Sequence, residues 1–599
     1  MKRSAKKVIR GMLAGVGLLM IVVAIFVASY AGFPGKIEEP PFQKQITTSG
    51  RKSIFRQGIA YRYSGLPPML EVLGDPYEMG LQYGVLLRPE IVTTLGSLRK
   101  FLKMQARNIG VPYFAMTAVV KFKAGRMSSH LPRRYKDEMR GVADGSGVPY
   151  GTVATVSLLY DIYQSMMACT GVLMRGPDGS IIQGRLNDMA AFGEISQIAA
   201  IVRQKPKDLN SFVHMDVPLY LGVETGMNDK GLCLGGETLR IKKPDGRGFS
   251  HPFLMRMIFE EAGSLDEIYP YFDRYRQVGA DGVVWSDLGR GRGTVVEMTP
   301  TAWAKRELEG PILWDFNRFY DETLAGQQVP ALNIIGVNID REAIASAFPQ
   351  KTQYELADAV AFARDQEGPD GTDYSWSGTR SPICNKGTTQ MMIFDSKSDG
   401  FYLAMGPSFA SRRNIYHIFS DFAKQPELFM PAVPIHPLAE EAAELESSSL
   451  SDEDKLHLFV DFANKHEGDA NAQFFAAYKA FRLKRPDLFA RYAERAFARR
   501  PDEVEYRMFA GLAAYQQKNV DKAVVLLESM TARYPEQELF RLAGLERAWA
   551  EKDPQKAAEY AAQKQAQLEK HDASKYFNNK LLPLLDALDN KDRRKGDGK

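Results

Sequence analysis

The stretch Ala168–Asp188, ACTGVLMRGPDGSIIQGRLND, carries the pattern of a β-hairpin. Two apolar runs flank Gly176–Gly179, a GPDG sequence that favours a tight turn. A turn centred on the middle bond of GPDG pairs Cys169 with Leu186, so that the thiol lies between the two neighbours of Leu186 on the opposite strand. The pattern therefore predicts two paired strands with a cysteine near the start of the first.

The predicted hairpin brings a thiol, a guanidinium group and a carboxylate together, in Cys169, Arg185 and Asp188. A neighbouring guanidinium favours the thiolate form of a cysteine, and a carboxylate accepts hydrogen bonds from an amine. This combination is consistent with an activated nucleophile. Spacing alone leaves an alternative open, because a single cysteine in a strand is more often a small buried apolar residue.

The composition of the whole chain excludes several classes of protein. The 599 residues are 45% hydrophobic and 25% charged, with a formal net charge of +4, which is ordinary for globular domains and gives no case for nucleic acid binding. The three cysteines are too few for a disulfide framework in a chain of this length. No two of the eight histidines have metal-ligand spacing, and no phosphate-loop or dinucleotide motif occurs, so we expect neither a metal nor a cofactor.

The N-terminus predicts a membrane segment. Five basic residues among the first ten precede the uncharged run Gly11–Phe33, which is long enough to span a bilayer of about 30 Å. A cleaved signal peptide is the alternative, with Ser29–Ala31 as its cleavage site, but the apolar run is longer than a usual signal-peptide core. We favour a retained anchor with the rest of the chain on the periplasmic or other extracytoplasmic side, because the positive flank stays in the cytoplasm.

Beyond this segment the pattern is mixed up to about residue 430 and helical thereafter. Helical patterns dominate 76–167, and strand-like runs follow Cys169. These runs are Ile198–Val202, Gly231–Leu234, Gly282–Trp285, Thr294–Met298 and Gln390–Phe394. In the C-terminal part Pro501 and Pro535 are 34 residues apart (535 − 501), as in a tetratricopeptide (TPR) repeat, although a plain helical bundle is the alternative.

These patterns divide the chain into six predicted segments. They are a membrane segment at 1–33, a tether at 34–55, a catalytic domain at 56–430, a linker at 431–469, TPR-like helices at 470–575 and a charged tail at 576–599. We expect the helical part to supply a concave surface that binds a protein partner rather than to carry chemistry.

The hairpin resembles the nucleophile hairpin of N-terminal-nucleophile (Ntn) cysteine hydrolases. In that family a Cys-Thr or Cys-Ser pair begins the first strand after a self-cleavage site and a G-R-x-x-D motif follows, and Cys169–Thr170, Gly184–Arg185 and Asp188 match at that spacing. The family includes choloylglycine hydrolases, penicillin V acylases, acid ceramidases and the acyl-CoA:6-aminopenicillanic acid acyltransferases of the peptidase C45 branch. Further stretches that resemble the acyltransferase branch, within a resemblance over about 60–420, are Gly74–Gly84, Gly226–Leu232, Leu254–Arg256 with Ala262–Ile268, and Asn317–Phe319.

The resemblance implies an α+β fold, a four-layer αββα sandwich, with a self-processing reaction centre. Scission of the bond Ala168–Cys169 would divide the catalytic domain into 56–168 and 169–430. It would also free the α-amino group of Cys169, whose ordinary pKa of about 7.7–8.0 suits a general base for the thiol of the same residue.

The family's other site residues are carried over by motif. Arg185 and Asp188 match the pair that orients the thiol and the amine, and Asn317 matches the asparagine that helps to stabilise the oxyanion. Thr238 lies near the second oxyanion position, where bile salt hydrolases have asparagine, and Arg380 matches a later arginine of the family. The resemblance therefore implies six site residues on the nucleophile side of the cleaved bond.

The sequence thus predicts a hydrolase of linear amides, which cuts an N-acyl amide through a thioester on Cys169. An acyltransferase that uses the same thioester is the first alternative, since only the acceptor, water or an amine, differs. A membrane-anchored scaffold without activity, acting through its helical repeats, is the second. The expected partners are a small N-acyl or acyl-CoA substrate, the membrane and a protein on the helical repeats, with no nucleic acid.

Overall fold

The computed structural model describes residues 33–163, 168–189, 194–195, 197–329, 337–448, 450–550 and 552–589. The strands in chain order are β1 Thr47–Ser49, β2 Lys52–Phe55, β3 Gly58–Tyr61, β4 Met69–Gly74, β5 Ala168–Arg175, β6 Ile181–Asp188, β7 Ala200–Pro206, β8 Phe212–Asp216 and β9 Thr225–Asn228. They continue as β10 Leu232–Leu239, β11 Ala280–Asp287, β12 Arg292–Met298, β13 Trp303–Glu307, β14 Ile312–Asp315, β15 Thr388–Asp395, β16 Phe401–Met405, β17 Ile415–Ile418 and β18 Glu427–Met430.

These strands form two sheets. The larger has eleven strands in the order β1-β2-β3-β4-β7-β8-β9-β10-β11-β12-β13, and the smaller has seven in the order β14-β5-β6-β15-β16-β17-β18. Neighbouring strands are antiparallel except β4 and β7, which run parallel. The hairpin of β5 and β6 belongs to the smaller sheet, where β14 and β15 pair with its two sides.

The inner faces of the two sheets pack against each other. Leu173 of β5 and Ile181 of β6 form a buried cluster with Val284 of β11 and Val295 of β12. At Gly171 the two sheets approach so closely that a Cβ atom there would lie 2.4 Å from Val284 Cγ2. The hairpin therefore has one face packed against the eleven-stranded sheet, in the interface between the two layers of strands.

Helices cover the outer faces, which gives four layers of helix, sheet, sheet and helix. The helices of the core on the eleven-stranded sheet are Pro76–Leu86, Arg88–Asn108, Tyr113–Ser129, Arg133–Ser146, Tyr150–Ser157, Leu159–Tyr163, His251–Glu261 and Leu265–Arg274. Those on the seven-stranded sheet are Val337–Ala347 and Leu356–Ala363, and the short helix Glu322–Ala325 packs at an edge. The predicted α+β class is confirmed as a mixed α/β fold.

After β18 the described chain is helical, as predicted. The helices are Pro437–Ser447, Asp452–Lys465, Ala470–Arg482, Pro486–Arg499, Val504–Gln516, Val520–Glu528, Pro535–Ala550, Pro554–Lys570, Ser574–Tyr576 and Leu582–Asp589, with a π-helical turn at Phe577–Leu581. Aromatic rings fill their core, with Phe481 contacting Phe509 and Phe540 at centroid distances of 5.2 and 5.5 Å. The 34-residue TPR period stays a prediction.

The predicted tether at 34–55 is in part a folded element. It contributes β1 and β2, which form the edge of the eleven-stranded sheet. Phe55 is buried, and its ring contacts that of Phe42 at a centroid distance of 6.0 Å. The polar and proline-rich composition concealed this short apolar contact, which attaches the segment to the core.

The predicted linker at 431–469 is also folded, since it contains two of the C-terminal helices. Its acidic residues lie mainly on exposed or half-exposed helix faces, while Ala439, Ala442 and Ala443 are buried on the other side. The predicted charged tail at 576–599 likewise begins with helical turns as far as Asp589. Composition alone does not distinguish a linker from the exposed face of a helix.

The predicted location on a membrane is corrected by the structure. Among the described residues, none of the helices is both long enough and apolar enough to cross a bilayer. The predicted anchor at 1–33 lies outside the described residues except for Phe33.

Candidate active site

The hairpin forms as predicted, but with a register shifted by one residue. Cys169 pairs with Asn187 rather than with Leu186. The turn is centred on Asp178, which adopts a left-handed conformation with φ of 61°, and Gly176 N–H donates to Ser180 O at 2.7 Å to close it. The turn thus contains one residue more than the two-residue turn that the GPDG sequence predicted.

The shifted register places Cys169, Asn187 and Arg185 on the same face of the hairpin, because alternate residues of paired strands point to the same side. Arg185 Nη2 donates to Cys169 Sγ at 3.3 Å, and the Cys169 thiol donates to Asn187 Oδ1 at 3.7 Å. This face is the inner one, toward the eleven-stranded sheet. The predicted meeting of the thiol and the guanidinium is therefore present.

Arg185 is held from the opposite sheet. Its Nε donates to Gly236 O at 2.9 Å and its Nη1 donates to Thr225 Oγ1. The stem of the side chain lies on Gly235, where a Cβ atom would come within 2.9 Å of Arg185 Cδ. Gly235 of β10 thus makes room for the stem of Arg185, and Gly236 O, Thr225 and the Cys169 sulfur fix the position of its guanidinium.

The thiol of Cys169 is neutral in this arrangement. Burial raises its pKa to about 12, and the positive charge of Arg185 opposes this only in part. The sequence prediction that Arg185 favours the thiolate is correct in direction, but the loss of hydration is the larger effect. A base is therefore needed to remove the thiol proton.

Asn317 joins the site from the loop after β14. Asp315, at the end of β14, pairs with Gly171 of β5, and this pairing carries Asn317 to the start of the hairpin. Cys169 N–H donates to Asn317 Oδ1 at 2.8 Å, and Asn317 Nδ2 donates to Thr238 O at 2.9 Å. The amide thus contacts the nitrogen that would become the free amine.

Asp188 lies in the site, although its described bonds do not go to the nitrogen of Cys169. It forms an ion pair with Arg341, and it accepts hydrogen bonds from Asn385 Nδ2 at 3.2 Å and Thr388 Oγ1 at 2.7 Å. Arg341 Nη1 in turn donates to Cys169 O at 3.0 Å. Asp188 therefore orients Arg341, which holds the backbone of the nucleophile.

Sequence reasoning missed Arg341. Only 1% of its side chain is exposed, so a permanent charge is buried and needs the carboxylate of Asp188. The residue stands in a helix with no motif around it, and only the three-dimensional fold brings it to the hairpin. Arg341 stands between two acidic residues, Asp340 and Glu342, so the sequence around it gives no sign that it is buried.

The two remaining candidates have different positions. Thr238 is next to the site through its carbonyl group, while its hydroxyl contacts Tyr160 OH at 3.0 Å. Arg380 contacts Asp340 at 3.4 Å and Tyr534 at 3.3 Å, at the boundary with the C-terminal helices. The structure therefore brings Thr238 to the centre but places Arg380 outside the described contacts of Cys169.

A cavity of about 640 Å³, counting the open solvent at its mouth, lies beside the thiol. Its lining includes Arg185 and Asn187, the two described side-chain partners of the Cys169 sulfur. The other lining residues are Thr94, Leu98, Val156, Leu159, Tyr160, Met189, Ile195, Val217, Tyr220 and Glu224. Because most of these are apolar, the cavity can take up an apolar group next to the nucleophile.

Buried titratable groups lie at one wall of the cavity and behind it. Burial raises the pKa of Glu224 to about 7, although His251 opposes it, and Glu224 Oε2 lies 3.8 Å from His251 Nε2. Burial opposes the charging of His251, but Asp281 and Glu224 outweigh it and raise its pKa. Tyr160 OH donates to Asp281 Oδ1 at 2.7 Å and so links this cluster to the neighbourhood of Thr238. Across the described ranges, no three His, Cys, Asp or Glu side chains are grouped to hold a metal ion.

Comparisons with known proteins agree with the predicted class. Residues 174–341 match the family model described as acyl-coenzyme A:6-aminopenicillanic acid acyl-transferase, which is less than a third of the chain. An uncharacterized protein of Archaeoglobus fulgidus is 23% identical over 276 residues, 40% of this chain and 45% of its own length.

Two characterised enzymes are also similar. Mouse acid ceramidase is 29% identical over 85 residues, 14% of this chain and 21% of the ceramidase. The N-acylethanolamine-hydrolyzing acid amidase of Caenorhabditis elegans is 21% identical over 192 residues, 30% of this chain and 54% of the amidase. The chain thus covers about half or less of each of these relatives.

Among solved structures, that of a Caenorhabditis elegans ortholog of N-acylethanolamine-hydrolyzing acid amidase superposes with a TM-score of 0.28 and 15% identity, over 38% of this chain and 94% of the ortholog. The family model and the sequence relatives relate the chain to acyltransferases and amide hydrolases, in agreement with the predicted enzyme class.

Proposed function

We propose that this chain is a self-processing N-acyl amide hydrolase whose nucleophile is Cys169, freed as a new N-terminus. The observation that carries the proposal is the environment of Cys169. Its sulfur lies 3.3 Å from Arg185 Nη2, and its backbone nitrogen lies 2.8 Å from Asn317 Oδ1. The thiol and the backbone nitrogen, which are the two reacting groups of an N-terminal nucleophile, therefore each have a polar partner. The cavity with mostly apolar walls lies beside them.

Processing would come first, because the nitrogen of Cys169 in the intact chain is an amide that cannot accept a proton. Sγ attacks the carbonyl carbon of Ala168, the thiol proton passes to the nitrogen of Cys169 as its bond to that carbon breaks, and a thioester and a free amine form. Water then releases Ala168 as a carboxylate and restores the thiol. The freed amine, with an ordinary pKa of about 7.7–8.0, becomes the base that the neutral thiol lacks.

Turnover repeats this chemistry on a substrate. The amine takes the thiol proton, Sγ attacks the acyl carbonyl carbon, and the amide nitrogen leaves with the proton that the amine held. Water then hydrolyses the thioester to a carboxylic acid. In this proposal Arg185 stabilises the thiolate, Asn317 is the oxyanion donor, and Arg341, oriented by Asp188, holds the carbonyl group of the nucleophile in place.

The walls of the cavity favour an apolar acyl group. Leu98, Val156, Leu159, Ile195 and Val217 all contribute to its lining. The names of two similar proteins, an acid ceramidase and an N-acylethanolamine-hydrolyzing acid amidase, point to N-acyl amides. We therefore propose an N-acyl amide with an apolar acyl chain as the substrate class.

An acyltransferase is the second candidate, and the family match over residues 174–341 favours it. The thioester on Cys169 would be the same, and only its acceptor would change from water to an amine. Adding candidate amines during turnover separates the two, because a transferase diverts the acyl group from the free acid to a new amide.

Mass spectrometry of the purified protein tests the proposal. We expect a fragment that begins at Cys169, release of fatty acid from N-acyl amides of varied chain length, and an acyl adduct on Cys169 when turnover is quenched. Cys169→Ala should remain a single chain without activity. Cys233→Ala is the matched control, because Cys233 is also a buried, unpaired cysteine and lies on β10. An intact chain with full activity, or an active Cys169→Ala variant, would contradict the proposal.

A further inference from the structure

The C-terminal helices contact the sandwich directly behind the reaction centre. Tyr534, the residue before helix Pro535–Ala550, donates from its hydroxyl to Asp340 Oδ1 at 2.7 Å. Both side chains are buried, at 3% and 5% exposure. Asp340 Oδ2 also accepts from Ser381 N–H at 2.9 Å. One carboxylate thus joins the C-terminal helices to two segments of the sandwich.

Asp340 is the immediate neighbour of Arg341 in helix Val337–Ala347. Consecutive residues of a helix point about 100° apart, so Asp340 faces the C-terminal helices while Arg341 faces the hairpin. Arg341 Nη1 donates to Cys169 O at 3.0 Å, and its Nη2 pairs with Asp188. A displacement of Asp340 therefore moves the guanidinium that holds the nucleophile.

A second contact reaches the site through the segment before β15. Trp376 Nε1 donates to Asp469 Oδ2 at 2.9 Å, and Asn471 Nδ2 donates to Trp376 O at 2.9 Å. Farther along the same segment, Asn385 Nδ2 donates to Asp188 Oδ2 at 3.2 Å. The C-terminal helices thus support Asp188 as well as its partner arginine.

Arg380 takes part in the first contact. Its Nη1 lies 3.4 Å from Asp340 Oδ1 and 3.3 Å from Tyr534 OH. Its positive charge offsets the negative charge of a carboxylate that is 5% exposed. The arginine that sequence reasoning placed in the catalytic centre therefore contributes to the contact between the C-terminal helices and the sandwich.

We propose that the C-terminal helical region is a part of the catalytic unit, and that Tyr534 is a positioning residue that acts on Arg341 through Asp340. The proposal rests on the proposed function for its effect on turnover. The coupling of Tyr534 to helix Val337–Ala347 and to the thiol of Cys169 does not depend on that function. It can be measured without turnover.

Tyr534→Phe in the full chain tests the coupling, because it removes one hydroxyl and keeps the ring. We expect kcat to fall about tenfold or more, about 1.4 kcal/mol in activation free energy, with KM within twofold. Alkylation of Cys169 should change by a similar factor, and hydrogen exchange should accelerate in peptides covering 337–347 but not in the remote helices.

Tyr492→Phe is the matched control. Tyr492 is buried in the same helical region and donates to Asn464 Oδ1 at 2.9 Å, far in the chain from any site contact. Both variants should lower the melting temperature, but only Tyr534→Phe should change kcat, alkylation and exchange at 337–347. Equal behaviour of the two variants in these three readouts overturns the proposal.

The experiment also distinguishes failure of the proposed function from failure of the coupling, and it allows for a variant that does not fold. If the wild-type chain shows neither scission nor turnover, the proposed function fails, while exchange at 337–347 and alkylation of Cys169 still decide the coupling. If Tyr534→Phe does not fold, Trp376→Phe tests the second contact by removing the donor to Asp469. Faster exchange in peptides over 377–388, with altered alkylation of Cys169, supports the proposal, and unchanged values overturn it.

Discussion

The backbone N–H of Cys169 donates a 2.8 Å hydrogen bond to the side-chain Oδ1 of Asn317. The other end of that amide donates to Thr238 O at 2.9 Å, so both partners fix the same orientation. Turning the amide over would set two donors against each other at one end and two acceptors at the other. Asn317 is therefore placed to hold the nitrogen before scission and the amine after it.

Replacing Asn317 should reduce catalysis more than stability. Loss of an oxyanion donor lowers kcat by about 10²–10³-fold in other enzymes, so we expect a loss of this size for Asn317→Ala, measured on chains that have been processed. Asn228→Ala is the control, since Asn228 is a buried residue at the end of β9 with four described side-chain hydrogen bonds, none of them to Cys169. It should lower stability and leave kcat of the folded protein unchanged. Full activity in Asn317→Ala would refute the assigned role.

The close approach of the sheets makes Gly171 a sensitive position. A Cβ atom there would lie 2.4 Å from Val284 Cγ2 and 2.5 Å from Glu237 Oε1. We expect Gly171→Ala to lower the free energy of unfolding by about 1–3 kcal/mol, measured by urea denaturation of the Cys169→Ala chain.

Gly96→Ala is the control for that measurement. Gly96 lies in helix Arg88–Asn108 and is exposed, and a Cβ atom added there would meet no described atom within 4 Å beyond its own stretch of helix. Alanine has the higher helix propensity, so this change should stabilise the chain by up to about 1 kcal/mol. Equal effects of the two substitutions would contradict the packing of the sheets.

The hairpin could be predicted because its information is local. Two apolar runs and a turn sequence fix the pairing of β5 with β6, and this pairing alone brings Cys169 and Arg185 together. The one-residue error in register arose at Asp178, whose left-handed conformation lengthens the turn. Turn composition indicates where a turn lies, but its centre depends on the dihedral angles that the folded strands impose.

The rest of the site could not be predicted, because it is assembled from distant segments. Arg341 follows Cys169 by 172 residues and reaches it from the helical layer over the smaller sheet. The alignment of Arg380 with a family arginine stays a prediction, and the described contacts of its guanidinium are with Asp340 and Tyr534 rather than with the hairpin. Polar composition also concealed β1 and β2, because exposed strands and tethers contain the same residues.

The hydrogen bonds that position Arg185 predict that lysine cannot replace it. Lysine keeps the charge, but a single ammonium group cannot reach Gly236 O, Thr225 and Cys169 Sγ together. We expect Arg185→Lys to raise the thiol pKa and to slow alkylation of Cys169 by at least about tenfold at pH 8, one pKa unit being a factor of ten in thiolate. Arg203→Lys, on β7 beside Glu71, is the control and should alkylate at the wild-type rate. An unchanged rate in Arg185→Lys would show that the guanidinium does not act on the thiol.

Glu224 predicts a pH dependence of stability with a definite sign. Its pKa in the folded chain is raised by burial from 4.5 to about 7, against the opposing charge of His251. Between these values the folded state holds a proton that the unfolded state has lost, so the free energy of unfolding falls as pH rises. An amide in place of the carboxyl group does not titrate, so this decrease in the free energy of unfolding is absent. Relative to wild type, Glu224→Gln should therefore gain up to about 3 kcal/mol between pH 5 and pH 8, measured in the Cys169→Ala background.

Glu441→Gln is the matched control for this titration. A hydrogen bond from Lys465 lowers the pKa of Glu441, so its contribution is present above pH 4.5 and is lost only as pH falls below that value. The difference between Glu441→Gln and wild type should change by less than about 1 kcal/mol from pH 5 to pH 8, because the titrating neighbour His466, 3.4 Å from Glu441 Oε2, forms only a partly exposed ion pair. Asp161, whose pKa burial raises to about 6, titrates in every chain compared and cancels from each difference. If the difference for Glu224→Gln is as flat as that for Glu441→Gln, Glu224 is ionised throughout this range and the cavity has a permanent negative charge beside Arg185.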